Sequence, residues 1–241
     1  MMRLDKYISG AGLMSRKECA KAVKKGRITI NGIPATRPET KIREGQDEIA
    51  LDGQIIPYME YTYIMLNKPE GYVSSTDDPS APTVLDLVDE RYSRMGLFPC
   101  GRLDRDTTGL LILTDNGPLA HRLLSPKYHC EKTYLASLAF VLDDETVNKV
   151  EAGVVLDGKI TKPAKIEILG PTQVNITLTE GRYHQVKRMF EAVGNKVLKL
   201  KRICFASIPL DPSLESGEWR LLTADETDIL EAAPDKAKGE N

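Results

Sequence analysis

Cysteine and histidine are too few and too widely spaced in this sequence to suggest a metal centre. No Cys-x-x-Cys pair occurs, and the histidines show no spacing typical of metal ligands. We therefore expect all the thiols to be reduced and no metal to be bound. The residues concerned are Cys19, Cys100, Cys130, Cys204, His121, His129 and His184.

Long apolar runs are also absent from the 241 residues. No stretch approaches the ~20 residues that a membrane-spanning helix needs. The first residues, MMRLDKYISG, are charged from the start and lack the apolar core of a signal peptide. Neither a Walker loop nor a dinucleotide fingerprint occurs. We expect a cytoplasmic protein that binds no membrane.

The net charge of −2 hides an uneven distribution along the chain. Residues 1–45 contain eleven Lys and Arg against four acids, a balance of +7, so the remainder carries −9. This split predicts a basic module that meets a polyanion, joined to a more acidic body with a different task.

Local signals in the basic module predict two helices followed by a hairpin. After a short first helix, SRKECAKAVKKG predicts a second helix, in which Ser15 and Glu18 form a capping box at the start. Gly26 is placed to end that helix in a left-handed conformation. Asn31-Gly32 is a strong signal for a two-residue hairpin turn.

Cations are concentrated on these helices and the adjoining hairpin. A solvated helix face is the simplest interpretation of such a charge run. Because the excess is so localised, we favour phosphate binding, which gives affinity without much sequence specificity. The residues are Arg3, Lys6, Arg16, Lys17, Lys21, Lys24, Lys25 and Arg27.

The basic module also matches a known pattern. RLDKYISGAGLMSRKECAKAVKKGRITINGIPATRPETKI resembles the S4 RNA-binding domain in its Arg-Leu-Asp-Lys opening, its Ser-Arg pair and its Gly-Arg-x-x-x-Asn-Gly signature. The resemblance covers residues 2 to about 50 and implies binding to structured RNA. We predict an S4-like α/β RNA-binding domain over residues 1–53 and a linker over residues 54–61.

The body of the chain, residues 62–232, alternates predicted strands and helices. Several neighbouring strands are joined by turns too short for a parallel crossover, so they must run antiparallel. We predict an α+β domain with a mixed, largely antiparallel sheet. The polar end, residues 233–241, is predicted to be a disordered tail.

Charged residues stand directly before a strand in GRLDRDTTGLLILT. Burying a carboxylate costs several kcal/mol unless a partner compensates it, so these charges face water or one of them is held at a working site. Asp104, paired with a cation such as Lys187 and lying near Tyr134, would stay ionised. Asp106 is the rival for the role of the acid.

The segment EGRYHQVKRMFEAVGN predicts an amphipathic helix that carries Lys187. Its apolar residues recur at helical spacing and define a buried stripe, and Gly194 ends the helix. Lys187 and Arg188 border that stripe, where a long side chain can present its charge to a pocket. An ordinary helix with a solvated face is the alternative interpretation. The stripe consists of Val186, Met189, Phe190 and Val193.

Three motifs of the body resemble those of the pseudouridine synthases: GRLDRDTTGL the catalytic motif, KTYL the second and GRYHQVKRM the third. With the S4-like module in front, the arrangement resembles the RsuA branch of the RsuA/RluB family. The resemblance implies that Asp104 is the catalytic carboxylate and that Lys187 pairs with it. It also implies that Arg102 helps to displace or replace the flipped uridine, and that Tyr134 packs against the target base and helps to remove its C5 proton.

The implied activity is isomerisation of one uridine to pseudouridine in small-subunit (16S) ribosomal RNA, presented by an assembling particle. We expect the protein to be a monomer. No atoms are gained or lost, so no cofactor is expected. Three alternatives stay open: a non-catalytic S4-type assembly factor, a hydrolase that uses Asp104 and Asp106 as an acid pair, and a synthase that acts on large-subunit (23S) ribosomal RNA.

Overall fold

The computed structural model describes residues 1–128 and 130–236. His129, one of the histidines considered above, lies outside the described residues. The chain forms two compact units. The N-terminal unit comprises residues 1–62 and 88–97, and the C-terminal unit comprises residues 63–87 and the chain from residue 98 onward.

In the N-terminal unit, helices and short antiparallel strands share one apolar core. Leu4 and Ile8 of the first helix, Cys19 of the second and Ile28 of the first sheet strand are fully buried there. Strands β1 and β4 pair with each other, and the other strands form a sheet in the order β3-β2-β5-β6. The elements are β1 (Met2–Arg3), α1 (Leu4–Gly10), α2 (Arg16–Lys24), β2 (Ile28–Ile30), β3 (Ile33–Pro34), β4 (Lys41–Ile42), β5 (Ile49–Leu51), β6 (Gln54–Ile56) and α3 (Glu90–Ser93).

The predicted signals of this unit are confirmed. The Ser15 hydroxyl accepts a hydrogen bond from the Glu18 amide, and the Glu18 carboxylate accepts one from the Ser15 amide at 2.8 Å, which completes the capping box of α2. Gly26 follows the helix with φ of 67°. Asn31-Gly32 joins β2 to β3, and both residues have the positive φ that this hairpin turn requires.

The structure differs from the predicted linker over residues 54–61, because that segment begins as strand β6. Asp52 and Gly53 have φ of 51° and 79° and form a two-residue turn that pairs β5 with β6. Asp-Gly is a hairpin signal, and it stands directly before the segment that was predicted to be a linker. Ile56 is buried in the N-terminal core, where its carbonyl accepts a hydrogen bond from the Tyr7 hydroxyl at 2.8 Å.

A second difference concerns residues 88–97, which the predicted domain over residues 62–232 included. They belong to the N-terminal unit. Arg91 Nε donates to the carbonyl of Ala11 at 3.0 Å. Gly12 lies so close to this segment that a Cβ built on it would come within 2.1 Å of the Arg91 carbonyl oxygen. This packing joins residues about 80 positions apart, so no local sequence pattern indicated it.

The C-terminal unit alternates strands and helices, as predicted. Its elements are β7 (Tyr63–Lys68), β8 (Phe98–Pro99), β9 (Thr108–Thr114), α4 (Gly117–Leu124), β10 (Lys132–Leu138), α5 (Asp144–Ala152), β11 (Val155–Leu156), β12 (Lys159–Ile160), β13 (Lys165–Gly170), β14 (Gln173–Leu178), α6 (Gln185–Ala192), β15 (Val197–Phe205), β16 (Ile208–Pro209), β17 (Trp219–Leu221) and α7 (Ala224–Lys236). Two 3₁₀ turns, Val84–Leu87 and Pro126–Tyr128, complete it.

One large sheet organises this unit, with strands in the order β13-β14-β10-β15-β9-β7-β17. Strand β16 pairs with β15, and β8 pairs with β9. Among the pairs that the structure describes in this sheet, only β9 and β15 run parallel. The predicted α+β class with a mixed, largely antiparallel sheet is therefore confirmed. Gly109 permits the close approach of β9 to β15, since its φ is 96° and a Cβ there would lie 2.2 Å from the Arg202 carbonyl oxygen.

Helices cover this sheet through two apolar clusters. Leu119 of α4 and Leu230 of α7 join the buried residues of β7 and β9. Val150 of α5 and Phe190 of α6 join those of β10, β14 and β15. The second cluster contains most of the stripe predicted for α6, which places one face of that helix against the sheet and leaves its border free to reach the loop before β9.

The polar end of the chain is partly helical. Residues 233–236 of the predicted tail belong to α7, whereas residues 237–241 lie outside the described residues. In the described ranges, no helix combines the length and apolar character needed to cross a bilayer.

Candidate active site

The loop between β8 and β9 carries Asp104 at its centre. Buried Leu103 anchors the loop, because its amide and carbonyl both hydrogen-bond the Ser74 hydroxyl at 3.0 Å. The Thr107 amide donates to the Asp104 carbonyl at 3.1 Å and closes a turn. The Asp104 side chain is about a quarter exposed, at 28%. The charges before the buried strand are therefore held at a cleft and are not enclosed in the core.

Lys187 of α6 reaches both candidate acids. Its Nζ lies 3.2 Å from Asp104 Oδ2 and 2.6 Å from Asp106 Oδ1. Burial acts to lower the pKa of Lys187, but the hydrogen bonds to Asp106 and Asp104 outweigh it and raise that pKa above its ordinary value. The Lys187 hydrogen bond lowers the pKa of Asp106. The ammonium and at least one carboxylate are thus held ionised at neutral pH.

Exposure separates the two carboxylates. Asp106 is 62% exposed, although its contact with Lys187 is the shorter one. Asp104 lines a cleft of about 700 Å³, whose walls come from the loop between β8 and β9, from β10 and β15, and from the turn before α6. Asp104 is therefore the acid that faces the cleft.

Arg102 and Tyr134 line the same cleft as Asp104. Tyr134 lies on β10 and is half-buried. Arg102 is exposed, and it forms no salt bridge within the part of the chain that the structure describes. The structure therefore brings Asp104, Arg102 and Tyr134 to one cleft, and Lys187 contacts Asp104 from α6.

His184 is a site residue that was considered above only as a histidine without metal-ligand spacing. Its Nε2 lies 3.4 Å from Asp104 Oδ1, and its backbone is left-handed, with φ of 49°. The ring stacks on Tyr183 with centroids 3.8 Å apart. The left-handed turn aims His184 back at the cleft, and no local sequence signal indicated such a turn.

Lys68, which no sequence pattern indicated, hydrogen-bonds the backbone of the loop that carries Asp104. It ends β7 and is fully buried. Its Nζ donates to the carbonyls of Thr107 at 2.9 Å, Asp104 at 3.1 Å and Arg105 at 3.3 Å, and to that of Pro69 at 3.1 Å. Burial lowers its pKa to about 8, while the charges of Asp106 and Asp104 oppose that shift.

The predicted RNA-binding cations all lie on the surface of the N-terminal unit. Arg3 forms a salt bridge with Asp5 at 2.7 Å, and Arg27 forms one with Asp52. The other six form no salt bridge within the described residues, so their charges face solvent: Lys6, Arg16, Lys17, Lys21, Lys24 and Lys25.

Groups of three or more His, Cys, Asp or Glu side chains able to hold a metal ion do not occur within residues 1–128 and 130–236. The four cysteines are unpaired, and three of them are buried.

Comparison with known proteins agrees with this architecture. The family model described as RNA pseudouridylate synthase matches residues 62–192, and the model described as S4 domain matches residues 2–49. The chain therefore belongs to the RNA pseudouridylate synthase family and has an N-terminal S4 domain. A solved structure of a pseudouridylate synthase is 44% identical, with a TM-score of 0.67, over 95% of this chain and 100% of that chain.

Curated relatives extend over nearly the same length. The chain is 45% identical to an uncharacterized RNA pseudouridine synthase, YtzG, of Bacillus subtilis, over 95% of this chain and 98% of the relative. It is 46% identical to the ribosomal small subunit pseudouridine synthase A of Escherichia coli K12, over 93% and 98%. The protein is an RNA pseudouridine synthase, which removes the hydrolase and the non-catalytic assembly factor as alternatives.

Proposed function

We propose that this enzyme converts one uridine of small-subunit (16S) ribosomal RNA to pseudouridine, with Asp104 as the catalytic carboxylate. The observation that carries the proposal is the position of Asp104, which faces the cleft and contacts the Lys187 ammonium at 3.2 Å. The small-subunit target is supported by the printed names of relatives from Escherichia coli and Yersinia pestis, each 46% identical to this chain.

The reaction needs only groups that the cleft contains. The N1–C1′ bond of the uridine breaks, the uracil turns, and C5 bonds to C1′. The C5 proton then leaves and N1 gains one, so no atoms are added or lost overall. An anionic carboxylate near C1′ can act as nucleophile or as electrostatic support for positive charge at that carbon. Tyr134 offers an aromatic surface against which the base can pack.

The uridine must leave its stack before C1′ becomes accessible. Flipping a nucleotide out of folded RNA costs a few kcal/mol, which protein contacts offset. Arg102 is exposed at the cleft and without an ionic partner in the described chain, so its guanidinium can occupy the position of the extruded base. The exposed cations of the S4 domain hold the RNA by its phosphates. We propose that the protein acts as a cytoplasmic monomer on an assembling small-subunit particle during ribosome biogenesis.

Chemical mapping of pseudouridine across ribosomal RNA tests the target. Cells that lack this protein should lose one mark in 16S RNA, and the wild-type gene should restore it. Loss of a mark in 23S RNA instead would transfer the assignment to the large subunit. Unchanged marks in both RNAs would contradict the proposal.

Substitution of the two acids tests the role of Asp104. With RNA carrying tritium at uridine C5, we expect Asp104→Asn to reduce tritium release by at least about 10³-fold, in the range seen when a catalytic group is removed. The matched variant Asp106→Asn should lose less than about tenfold, because it removes only an exposed partner of Lys187. Both should bind the RNA as wild type does. A fully active Asp104→Asn enzyme would exclude the carboxylate from catalysis.

A further inference from the structure

Two buried cations form the part of the cleft wall that lies beside Tyr134. Lys132 and Arg202 are only 8% and 2% exposed, and both line the cleft. Lys132 Nζ donates to the Cys130 carbonyl at 2.8 Å, and Arg202 Nε donates to the Leu110 carbonyl at 2.7 Å. Arg202 Nη2 is buried and has no hydrogen-bond partner among the described residues. Neither side chain forms a salt bridge within those residues.

The strand register aims both cations at the same space as Tyr134. Tyr134 of β10 lies directly opposite Arg202 of β15, and Lys132 precedes Tyr134 by two residues on the same strand. Side chains at opposite positions, and at every second position along a strand, project from one face of a sheet. The register between β10 and β15 shifts between Thr133 and Tyr134, and Lys132, Tyr134 and Arg202 all line the cleft on this side of the sheet.

The surroundings of this pair leave its positive charge largely uncompensated. Both cations lie over the ring of Phe205, with Lys132 Nζ at 5.7 Å and Arg202 Cζ at 5.0 Å from its centroid. Cation–π contacts contribute about 2 kcal/mol when desolvated, whereas an unpaired buried charge costs several. Burial raises the pKa of the nearby Cys100 thiol to about 12, so at neutral pH this thiol is uncharged. The cleft wall consequently presents a positive potential to whatever enters it.

We propose that Lys132 and Arg202 hydrogen-bond the carbonyl oxygens of the target uracil and stabilise the negative charge that the ring acquires when its glycosidic bond breaks. The proposal rests on the proposed function. When N1–C1′ breaks, the electron pair of the bond stays on the uracil and spreads over N1, O2 and O4. The positive charge left at C1′ faces Asp104. Formation of C5–C1′, loss of the C5 proton and protonation of N1 then consume the ring's charge.

Depth favours the base over an RNA phosphate as the partner of this pair. The phosphates of a folded RNA stay near the protein surface, where exposed cations such as those of the S4 domain meet them, whereas a flipped base is the part of a nucleotide that enters a cleft. Uracil also has two carbonyl acceptors on its ring. Preorganised donors aimed at developing charge are worth about 10²–10³ in rate for each donor removed.

The test compares two leaving groups. Small-subunit ribosomal RNA is transcribed with uridine or with 5-fluorouridine throughout. Rates of N1–C1′ cleavage at saturating enzyme are measured on the digested nucleosides by liquid chromatography with tandem mass spectrometry, which separates the isomers by retention and fragmentation. Fluorine withdraws electrons and makes the uracil a more stable anion, so that substrate depends less on protein donors. We expect Lys132→Met to slow the uridine substrate about 100-fold and the 5-fluorouridine substrate less than about tenfold. Lys132→Arg should recover most of the rate.

Other outcomes would overturn the proposal. Equal slowing of both substrates would show a structural role, and weaker RNA binding at an unchanged cleavage rate would show a phosphate contact. Lys127→Met, a change at an exposed lysine that does not line the cleft, is the matched control and should match wild type. If Lys132→Met fails to fold, Arg202→Lys is tested in the same way, by comparing how much it slows the uridine substrate and the 5-fluorouridine substrate. An inactive wild-type enzyme on small-subunit RNA would refute the proposed target, and the comparison would then use the RNA that the mapping identifies.

Discussion

Replacement of Lys68 by methionine should displace the loop that carries Asp104 and lower activity, while the free energy of unfolding of the protein changes little. The Lys68 ammonium holds four backbone carbonyls at 2.9–3.3 Å, and three of them belong to the loop around Asp104. Methionine keeps most of the length and apolar character of the lysine stem but cannot donate a hydrogen bond. The substitution therefore removes the support of the loop while leaving the end of β7 filled.

Two opposing contributions set the effect on stability. Burial lowers the pKa of Lys68 from 10.5 to about 8, so the buried ammonium costs about 3 kcal/mol at neutral pH, and methionine relieves that cost. Each carbonyl left buried without a donor costs about 1–3 kcal/mol. With one or two carbonyls still buried after the loop relaxes, these contributions nearly cancel. We expect the free energy of unfolding to change by less than about 2 kcal/mol.

Activity should respond far more strongly than stability. A displacement of about 1 Å at a reacting group is enough to slow catalysis about 10²-fold, and the carbonyl of Asp104 itself loses its donor. Single-turnover tritium release and urea unfolding are measured on Lys68→Met, with Lys165→Met, an exposed lysine on β13, as the control. A wild-type rate in Lys68→Met would refute the positioning role. A loss of more than about 5 kcal/mol would refute the cancellation.

Three further predictions follow from charge and backbone geometry. Between pH 8 and 10.5, the free energy of unfolding of wild type should rise by up to about 3 kcal/mol relative to that of Lys68→Met, as measured in urea. The reason is that the unfolded chain keeps the Lys68 proton up to its ordinary pKa of 10.5, while the folded chain releases it near pH 8. Parallel pH dependences of the two proteins would contradict this. Replacing Lys21, Lys24 and Lys25 by Gln should reduce the slope of log affinity against log salt by about 2 to 3 in RNA titrations, and an unchanged slope would remove them from the interface. Gly109→Ala should lose about 2–4 kcal/mol, since its φ is 96° and the new Cβ would clash with the Arg202 carbonyl, whereas Gly117→Ala, with open space around it, should lose far less.

Features determined by neighbouring residues were predictable from the sequence. The capping box of α2, the Asn31-Gly32 turn and the buried stripe of α6 each depend on residues within one or two turns of chain. The Asp52-Gly53 turn carried the same kind of signal, but a linker was predicted directly after it, where strand β6 begins. The mixed sheet followed from the short connections between strands.

The chemistry beneath the site could not be predicted in that way. Lys68 lies 36 residues before Asp104, and in the sequence it resembles an ordinary polar residue at the end of an apolar strand. Lys132 and Arg202 likewise stand in strands whose other inward residues are apolar, and only the pairing of β10 with β15 shows that they share a surface. Asp104 and Lys187, which are 83 residues apart, were brought together in advance by resemblance to a family and not by any local pattern.

Residues 88–97 pack in the N-terminal unit, and this matters for any attempt to produce that unit on its own. The RNA-binding module is formed from two separate segments of the sequence. A truncation at residue 62 therefore removes α3 and leaves the Ala11 carbonyl without its Arg91 donor. A copy of residues 88–97 fused to residues 1–62 would be required to obtain that module as one continuous chain.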